Sequence, residues 1–460
     1  MKRRCFLQVV TLGSVIFAVP LAAQRPSDFS ALEKTIQAEL AETRTPGAAV
    51  AIVSGNQIVF AKGFGTSNSE TGAPVTPDML FRIGSVTKMF TTTALTLLAE
   101  QGKLSLDVPI GQYMKGLSLR LSQVSAHQLM SHTSGLRDEA PSYGAHDAEA
   151  LARVIRAWND HHFFTASGRV FSYSNPGFAV AGLLAEEVSG RPYARLLDET
   201  LFKPLGMNTT TFEPTLAMTY PLSQGHNVGD EKTTVVRPFA DNAGYWPAGF
   251  LFSSANDLAR FAIACMNGGR IDGKSVIPPV VFTKLSTGYA PTHSGPENAA
   301  YGYGLLTREY RGVRVIEHGG SIQGFGAQVR MVPEQQFAII TLSNRSGGQL
   351  PKTMSAAMDM FLPLKALGED KMVVAAPQFT AGEISSLPGR YSQGPTAVEI
   401  VARNGKLFFK QGTLEAPLHK ISDARIVVAG PQRREFVIVR GSNGRVEYLH
   451  ASMRALARQP

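Results

Sequence analysis

With 460 residues, 44% of them hydrophobic and 18% charged, the chain has room for a large core and for two or three domains. It contains no long low-complexity tract, so its composition is that of an ordinary globular protein, and no stretch beyond its first two dozen residues is long and apolar enough to cross a bilayer as a helix. The formal charge of +9 is local: three basic residues open the chain, and Ala381 to Pro460 holds twelve Lys and Arg against six Asp and Glu, with no nucleic-acid-binding motif among them.

Lys2, Arg3 and Arg4 precede an apolar run from Cys5 to Val19, which Leu21-Ala22-Ala23 closes with small residues. Residues 1–23 therefore read as a secretory signal, with cleavage expected after Ala23 and a periplasmic or secreted location. The run is short for a membrane-spanning helix, which weighs against a retained anchor. Removing it leaves Cys265 as the sole cysteine, so no intramolecular disulfide is expected. The apolar helical context Arg260-Phe-Ala-Ile-Ala-Cys-Met266 marks that cysteine as a buried structural thiol.

From Phe29 to about Arg44, Leu32, Ile36 and Leu40 recur at helical spacing. Gly47–Val53 and Gln57–Lys62 are strand-like runs joined by Ser54-Gly55-Asn56, a hairpin signal. A helix is expected from Ser85 to Gln101, with Gly102 beyond its C-terminus. Leu104–Ala300 reads mainly as helix and loop, including Gly177–Gly190 and a capping box at Ser254-Ala-Asn-Asp257. Strand character returns at Tyr303–Tyr310, Val313–Glu317, Ala327–Val332 and Phe337–Leu342, and a helix is expected over Leu350–Leu364.

Hairpins at both ends of a helical insert predict an α+β domain over residues 24–366. It would be one antiparallel sheet built from both ends of the chain, flanked by the N- and C-terminal helices, with a helical domain between. A linker, 367–378, contains Gly368 and Pro377. Residues 379–460 then form a second unit with short strands at Val398–Val401, Lys406–Lys410, Arg425–Val428, Glu435–Arg440 and Val446–His450, a small all-β barrel or sandwich.

Three motifs carry chemistry. Ser85-Val-Thr-Lys88 places a hydroxyl and an amine on one helix face, and the N–H groups at the helix start favour developing negative charge. In Tyr173-Ser-Asn175, a phenol could relay the nucleophile's proton if a cation lowers its pKa, and an amide could orient the lysine and meet substrate. In His318-Gly-Gly320-Ser321, two glycines clear a strand edge for a substrate backbone, and the Ser321 N–H could join that of Ser85 around an oxyanion. Each motif also has a plain structural reading: a chance spacing, a turn before Pro176, a glycine bulge.

Other chemistries lack support. No Gly-x-Ser-x-Gly elbow, Cys-x-x-Cys pair or phosphate-binding glycine loop occurs, and His161-His162 beside Asp160 lacks helical metal-ligand spacing. No metal and no cofactor are expected. His132 is expected to cap or pack near the site rather than to react.

Together with their surroundings, the motifs give the chain a likeness to one family. Phe81-Arg-Ile-Gly-Ser-Val-Thr-Lys88, Leu129-Met-Ser-His-Thr-Ser-Gly-Leu136, Tyr173-Ser-Asn-Pro-Gly177, Pro204-Leu-Gly-Met207, Ala248-Gly-Phe-Leu-Phe-Ser-Ser254 and His318-Gly-Gly-Ser-Ile-Gln-Gly-Phe325 resemble the class C β-lactamase-related serine hydrolases of the penicillin-binding D,D-peptidase superfamily, over about Leu32 to Leu364. The tail resembles the lipocalin-like β domain often joined to them. The resemblance implies a β-lactamase/transpeptidase-like fold and an acyl-enzyme mechanism on amides or esters. Ser85 would be the nucleophile, with Lys88 and Tyr173 sharing the proton. Asn175, His318, Gly320 and Ser321 would meet the substrate.

His318 and Gly320 fall on the first and third positions of the Lys-Thr-Gly motif. His318 in place of the lysine, and Gly319 in place of the threonine, predict slow β-lactam hydrolysis at most, and D-amino-acid peptides or cell-wall fragments as substrates. A carboxylesterase and a non-enzymatic wall-binding protein are the alternatives. The basic tail is a candidate contact with anionic cell wall.

Overall fold

The computed structural model describes residues 26, 28–147, 149–229, 232–293, 299–366, 377–430 and 433–460. The signal segment 1–23 and most of the linker 367–378 lie outside the described residues.

An eight-stranded antiparallel sheet forms the centre of the N-terminal unit. Its strands are β1 (Gly47–Ser54), β2 (Gln57–Gly65), β3 (Ala290–Pro291), β4 (Ala300–Tyr301), β5 (Leu306–Tyr310), β6 (Val313–Ile322), β7 (Phe325–Val332) and β8 (Phe337–Ser343), in spatial order β2-β1-β8-β7-β6-β5-β4-β3. The two ends of the chain meet where β1 pairs with β8, Ala48 opposite Ser343.

β1 is apolar throughout because both its faces are covered. Ala48, Val50 and Ile52 pack with Leu32, Ile36 and Leu40 of α1 (Ser30–Thr43), in a cluster that also takes in Met354 and Met358 of the C-terminal helix Pro351–Phe361. Ala49, Ala51 and Val53 face the helix Ala255–Met266, in a second core that extends to α2 (Thr87–Glu100) and the helical domain. Cys265 lies buried in that second core, its thiol pKa raised by burial.

α2 is preceded by a 3-10 turn at Gly84–Val86 that holds Ser85. The helix is rich in threonine yet buried. Thr87, Thr92 and Thr93 return their hydroxyls to carbonyls three or four residues back, and Thr91 donates to Pro247 O at 2.7 Å. At Ser254 the capping box is half made. Ser254 Oγ accepts from Asp257 N at 3.1 Å, but the Asp257 carboxylate turns to Thr209 and Thr210.

β6 runs through His318–Ser321 to Ile322, five residues beyond the expected end, because its pairing with β7 continues to the Gln323–Gly324 turn. β5 begins only at Leu306, since Gly304 at φ +69° bends the chain before it. Beyond Glu317, β6 therefore has an open edge.

Residues 389–458 form a closed antiparallel barrel of β9 (Gly389–Gln393), β10 (Thr396–Arg403), β11 (Lys406–Gln411), β12 (Leu414–Ser422), β13 (Arg425–Val428), β14 (Arg434–Arg440), β15 (Val446–Ala451) and β16 (Arg454–Arg458), each paired with its neighbours in chain order and β16 with β9. Three strands exceed those expected. Pro417 obscures β12, and Arg-Ala-Leu-Ala-Arg in β16 reads locally as helix.

The barrel docks on the segment leading to Tyr173. Gln393 Nε2 and Ala455 N donate to Ser172 Oγ at 2.9 and 3.2 Å, and the Thr165 and Tyr448 hydroxyls lie 2.7 Å apart.

Candidate active site

Ser85 stands at the floor of a cleft of about 610 Å³ also lined by Tyr173, Asn175, His318, Gly320, Ser321, Met453 and Arg454. Lys88 lies directly behind it, fully buried. The structure thus brings all seven residues singled out from the sequence into one place.

Two glycines permit the close approach of β6 to the Ser85 turn. A Cβ at Gly320 would stand 1.9 Å from Ile83 O, and one at Gly84, whose φ is +51°, would stand 2.7 Å from Ser321 N. Ser321 opposes Gly326, one step from the hydrogen-bonded pair Ile322–Phe325 that closes a two-residue turn. Its N–H therefore points to the open edge, on the side of Ser85.

The surroundings of Lys88 define its protonation. Nζ lies 3.1 Å from Ser85 Oγ, 2.6 Å from Asn175 Oδ1 and 2.5 Å from Ala248 O. Burial lowers its pKa to about 7, with Asp138 acting in the opposite sense and Arg454 in the same sense. A neutral amine has two hydrogens and one lone pair. The two oxygens that can only accept, Asn175 Oδ1 and Ala248 O, take both hydrogens, which leaves the lone pair for the Ser85 hydroxyl.

Asn175 is oriented from behind. Its backbone N and its Nδ2 both donate to Asp138 Oδ1, at 2.8 and 3.0 Å, so the amide oxygen must face Lys88. Asn175 opens α3 (Asn175–Ser189), with Ser174 as its N-cap and Pro176 in its first turn.

The Tyr173 ring packs beside the amine, Nζ lying 4.8 Å from its centroid. Its phenol pKa is raised by burial, against the opposing effect of its hydrogen bond with Ser85. The condition set from the sequence, a phenol held low by a cation, is thus not met: burial dominates, the Ser85 hydrogen bond and Arg454 oppose it without overcoming it, Asp138 acts in the same sense as burial, and the phenol stays protonated. His132 packs, as expected. Its ring lies 4.2 Å from that of Tyr173, and its Nδ1 accepts from Ser174 N at 3.0 Å.

His318 is neutral, its pKa pushed down to about 3 by burial and by Lys88. Nδ1–H donates to Gly319 O at 2.6 Å, and Nε2 accepts from the Tyr301 hydroxyl at 2.8 Å. Both ring nitrogens are therefore occupied within the protein. The space a side chain at Gly319 would fill holds the carboxamides of Gln328 and Gln349. At the far end of the cleft, Glu317 accepts from Arg308 and Arg330, both at 2.6 Å, leaving one positive charge in excess.

A family model described as Beta-lactamase matches residues 32–359. The chain belongs to the beta-lactamase family. Protein flp of Staphylococcus aureus (strain N315) is 24% identical over 331 residues, covering 70% of this chain and 64% of that protein. Unguisins hydrolase ungD' of Aspergillus campestris (strain IBT 28561) is 28% identical over 317 residues, covering 65% and 58%. This beta-lactamase-family chain thus spans less than two thirds of the length of these curated relatives.

Among solved structures, that of SurE aligns with a TM-score of 0.76 at 23% identity, over 93% of this chain and 98% of that one. That of D-amino acid amidase from Ochrobactrum anthropi SV3, complexed with L-phenylalanine amide, aligns with a TM-score of 0.60 at 22% identity, over 72% and 97%. These likenesses establish the fold.

Sequence reasoning missed Asp138, Tyr301, Met453 and Arg454, and the carbonyl of Ala248. Ala248 lay in a family-like segment, but a backbone acceptor leaves no residue-type signal. Asp138 and Arg454 are 316 positions apart in an ion pair, and neither belongs to a motif. Among the described residues no group of His, Cys, Asp or Glu could hold a metal ion, and no helix is long and apolar enough to cross a membrane.

Proposed function

We propose that the protein is a serine hydrolase that cleaves amide or ester bonds through an acyl-enzyme. The observation that carries this reading is the Lys88 amine, with both hydrogens committed and its lone pair directed at Ser85 Oγ 3.1 Å away.

Lys88 takes the Ser85 proton as Oγ bonds to the substrate carbonyl carbon. The Ser85 and Ser321 N–H groups hold the oxyanion. The lysine's proton passes through the Tyr173 hydroxyl, which relays without ionising, to the leaving amine or alkoxide. A water then attacks the acyl carbon, gives its proton back along the same path, and Ser85 is regenerated with release of the acid.

Peptides with D-amino-acid residues, such as cell-wall fragments, are the proposed substrates. This follows the open edge of β6, which admits an extended backbone, and the likeness to relatives named amidase and hydrolase. A carboxylesterase is the second reading. The neutral, internally bonded His318 favours it, since no ammonium stands there for a substrate carboxylate.

Turnover of short-chain acyl esters, D-Ala-terminated peptides and a chromogenic cephalosporin, with Ser85→Ala as control, separates these readings. Esters alone favour the esterase, and a slow cephalosporin rate is expected in either case. An acylating reagent should add its mass at Ser85. Full activity in Ser85→Ala overturns the mechanism, and binding of wall fragments without any turnover returns the non-enzymatic alternative.

The proposed setting is the periplasm or the cell exterior, after cleavage at Ala23. The barrel's excess of basic residues is proposed to contact anionic wall polymer. Deleting the chain after Ala375 should then weaken sedimentation with purified wall, and unchanged sedimentation rejects that contact.

A further inference from the structure

We propose that Arg454, carried by the C-terminal barrel, is a positioning residue for Lys88, so that the barrel is part of the catalytic unit. The proposal rests on the acyl-enzyme reading above.

Arg454 opens β16, beyond a two-residue turn of Ser452 and Met453. Both turn residues have positive φ, +49° and +67°, in a region that side chains other than Gly, Asn and Asp seldom adopt. This tight turn enters the cleft. Met453 O accepts from Tyr173 N at 2.8 Å, and the Arg454 guanidinium lies 5.3 Å from the Tyr173 ring centroid. A conformation that costs free energy is here held in place by contacts with the catalytic segment of the other unit.

From that hairpin Arg454 reaches Asp138. Nε donates to Asp138 Oδ2 at 2.7 Å, and Nη2 donates to the same oxygen. Asp138 Oδ1 receives both N–H groups of Asn175, and Asn175 Oδ1 receives Lys88. Arg454, Asp138, Asn175, Lys88 and Ser85 thus form one connected chain, in which every polar contact has a defined donor and acceptor.

The charges that face Lys88 identify what the arginine does there. Asp138 comes from the loop after Leu136, His132 from the loop before it, Tyr173 from the approach to α3, His318 from β6 and Arg454 from the barrel. Both histidines are neutral through burial and the phenol is protonated, so the balance at the amine rests on Asp138 against Arg454. The Asp138 side chain is only 7% exposed. Without Arg454 its carboxylate would lack a countercharge and would draw on the lysine ammonium, and, no longer anchored at Oδ2, it would hold Asn175 in a less fixed orientation.

The test uses the full-length protein with Arg454→Ala, Arg454→Gln, Arg454→Lys and the double variant Asp138→Asn/Arg454→Ala. The readouts are the pH dependence of kcat/KM for a short-chain ester and the amide exchange of the Tyr173–Asn175 segment. In Arg454→Ala the acid limb should move to higher pH by at least about half a unit, with kcat at neutral pH down at least about tenfold and KM changed less than about threefold. Arg454→Lys keeps the charge and should return the limb. The double variant, without either charge, should return the limb but not kcat.

Arg454→Gln carries the same comparison if Arg454→Ala does not fold. A folded variant that loses only thermal stability, with limb and kcat unmoved, overturns the proposal and makes the pair a docking contact. Exchange reads the hold without turnover. Asn175 N–H should exchange at least about tenfold faster in Arg454→Ala, and unchanged exchange overturns the proposal even in an inactive protein. A parent that turns over no substrate and is not acylated at Ser85 overturns the hydrolase reading alone.

Discussion

The two walls of the cleft are built by different kinds of interaction. On the nucleophile wall, Ser85 and Lys88 stand one helical turn apart. Burial and two committed acceptors fix the lysine's protonation, and a glycine-lined strand presses on the turn. On the barrel wall, Arg454 is 41% exposed at its side chain and meets Asp138 across 316 residues of sequence. The first wall is dry and local, as bond-making chemistry at a lysine base requires. The second is a charged contact between domains, within reach of solvent and salt. The contrast teaches that the chemistry and its alignment have separate sources, so they should respond differently to perturbation.

The nucleophile wall should break first. Ser85→Ala is expected to lower ester turnover by about a thousandfold or more and to abolish the mass adduct. Lys88→Met keeps the stem and removes the base. It should cost about a hundredfold or more and erase the acid limb. In the parent that limb is expected near pH 7, where burial places the Lys88 amine. The amine accepts a proton only when neutral, so kcat/KM rises as pH climbs through that value. A parent profile flat from pH 5 to 9 would remove Lys88 as the base.

Next in size is Gly320→Ala. Its Cβ would meet a backbone carbonyl, Ile83 O, rather than a side chain that can swing away. The strand must retreat and take the Ser321 N–H with it, so acylation should slow by about a hundredfold while ester binding weakens far less. An equal loss in binding and acylation would instead place the damage in the fold. The barrel wall comes after these, with the smaller, pH-dependent losses expected for Arg454→Ala.

Legibility in the sequence follows the same division. Ser85 and Lys88 could be found because helical geometry converts a spacing of three into a shared face, and α1, the first hairpin and α2 appeared where periodicity placed them. Tyr173 and His318 were legible as residues, but their states were not. Burial keeps the phenol protonated and the imidazole neutral, and burial is a property of the packed molecule. Asp138 and Arg454 were invisible, since no local pattern marks an ion pair between domains. The barrel was legible as a class, yet β9, β12 and β16 escaped because closure of the barrel overrode their weak strand propensity.

The smallest expected effect tests whether His318 belongs to the chemistry or to the wall. Its Nδ1–H is spent on Gly319 O, so Nε2 is an acceptor, and the Tyr301 hydroxyl is the donor that satisfies it. Tyr301→Phe removes that donor and leaves the ring shape. A buried acceptor without a partner costs about 1–3 kcal/mol, which should appear as a lower denaturation midpoint. Because the ring is neutral at every pH near neutrality, losing the hydroxyl should leave the acid limb in place and change kcat/KM by about threefold or less. A limb that moves would mean that Tyr301 and His318 exchange protons with Lys88, which would put the nucleophile wall's charge in three residues instead of one. A limb that stays, with stability lost, assigns them to holding the strand edge on which Ser321 presents its N–H.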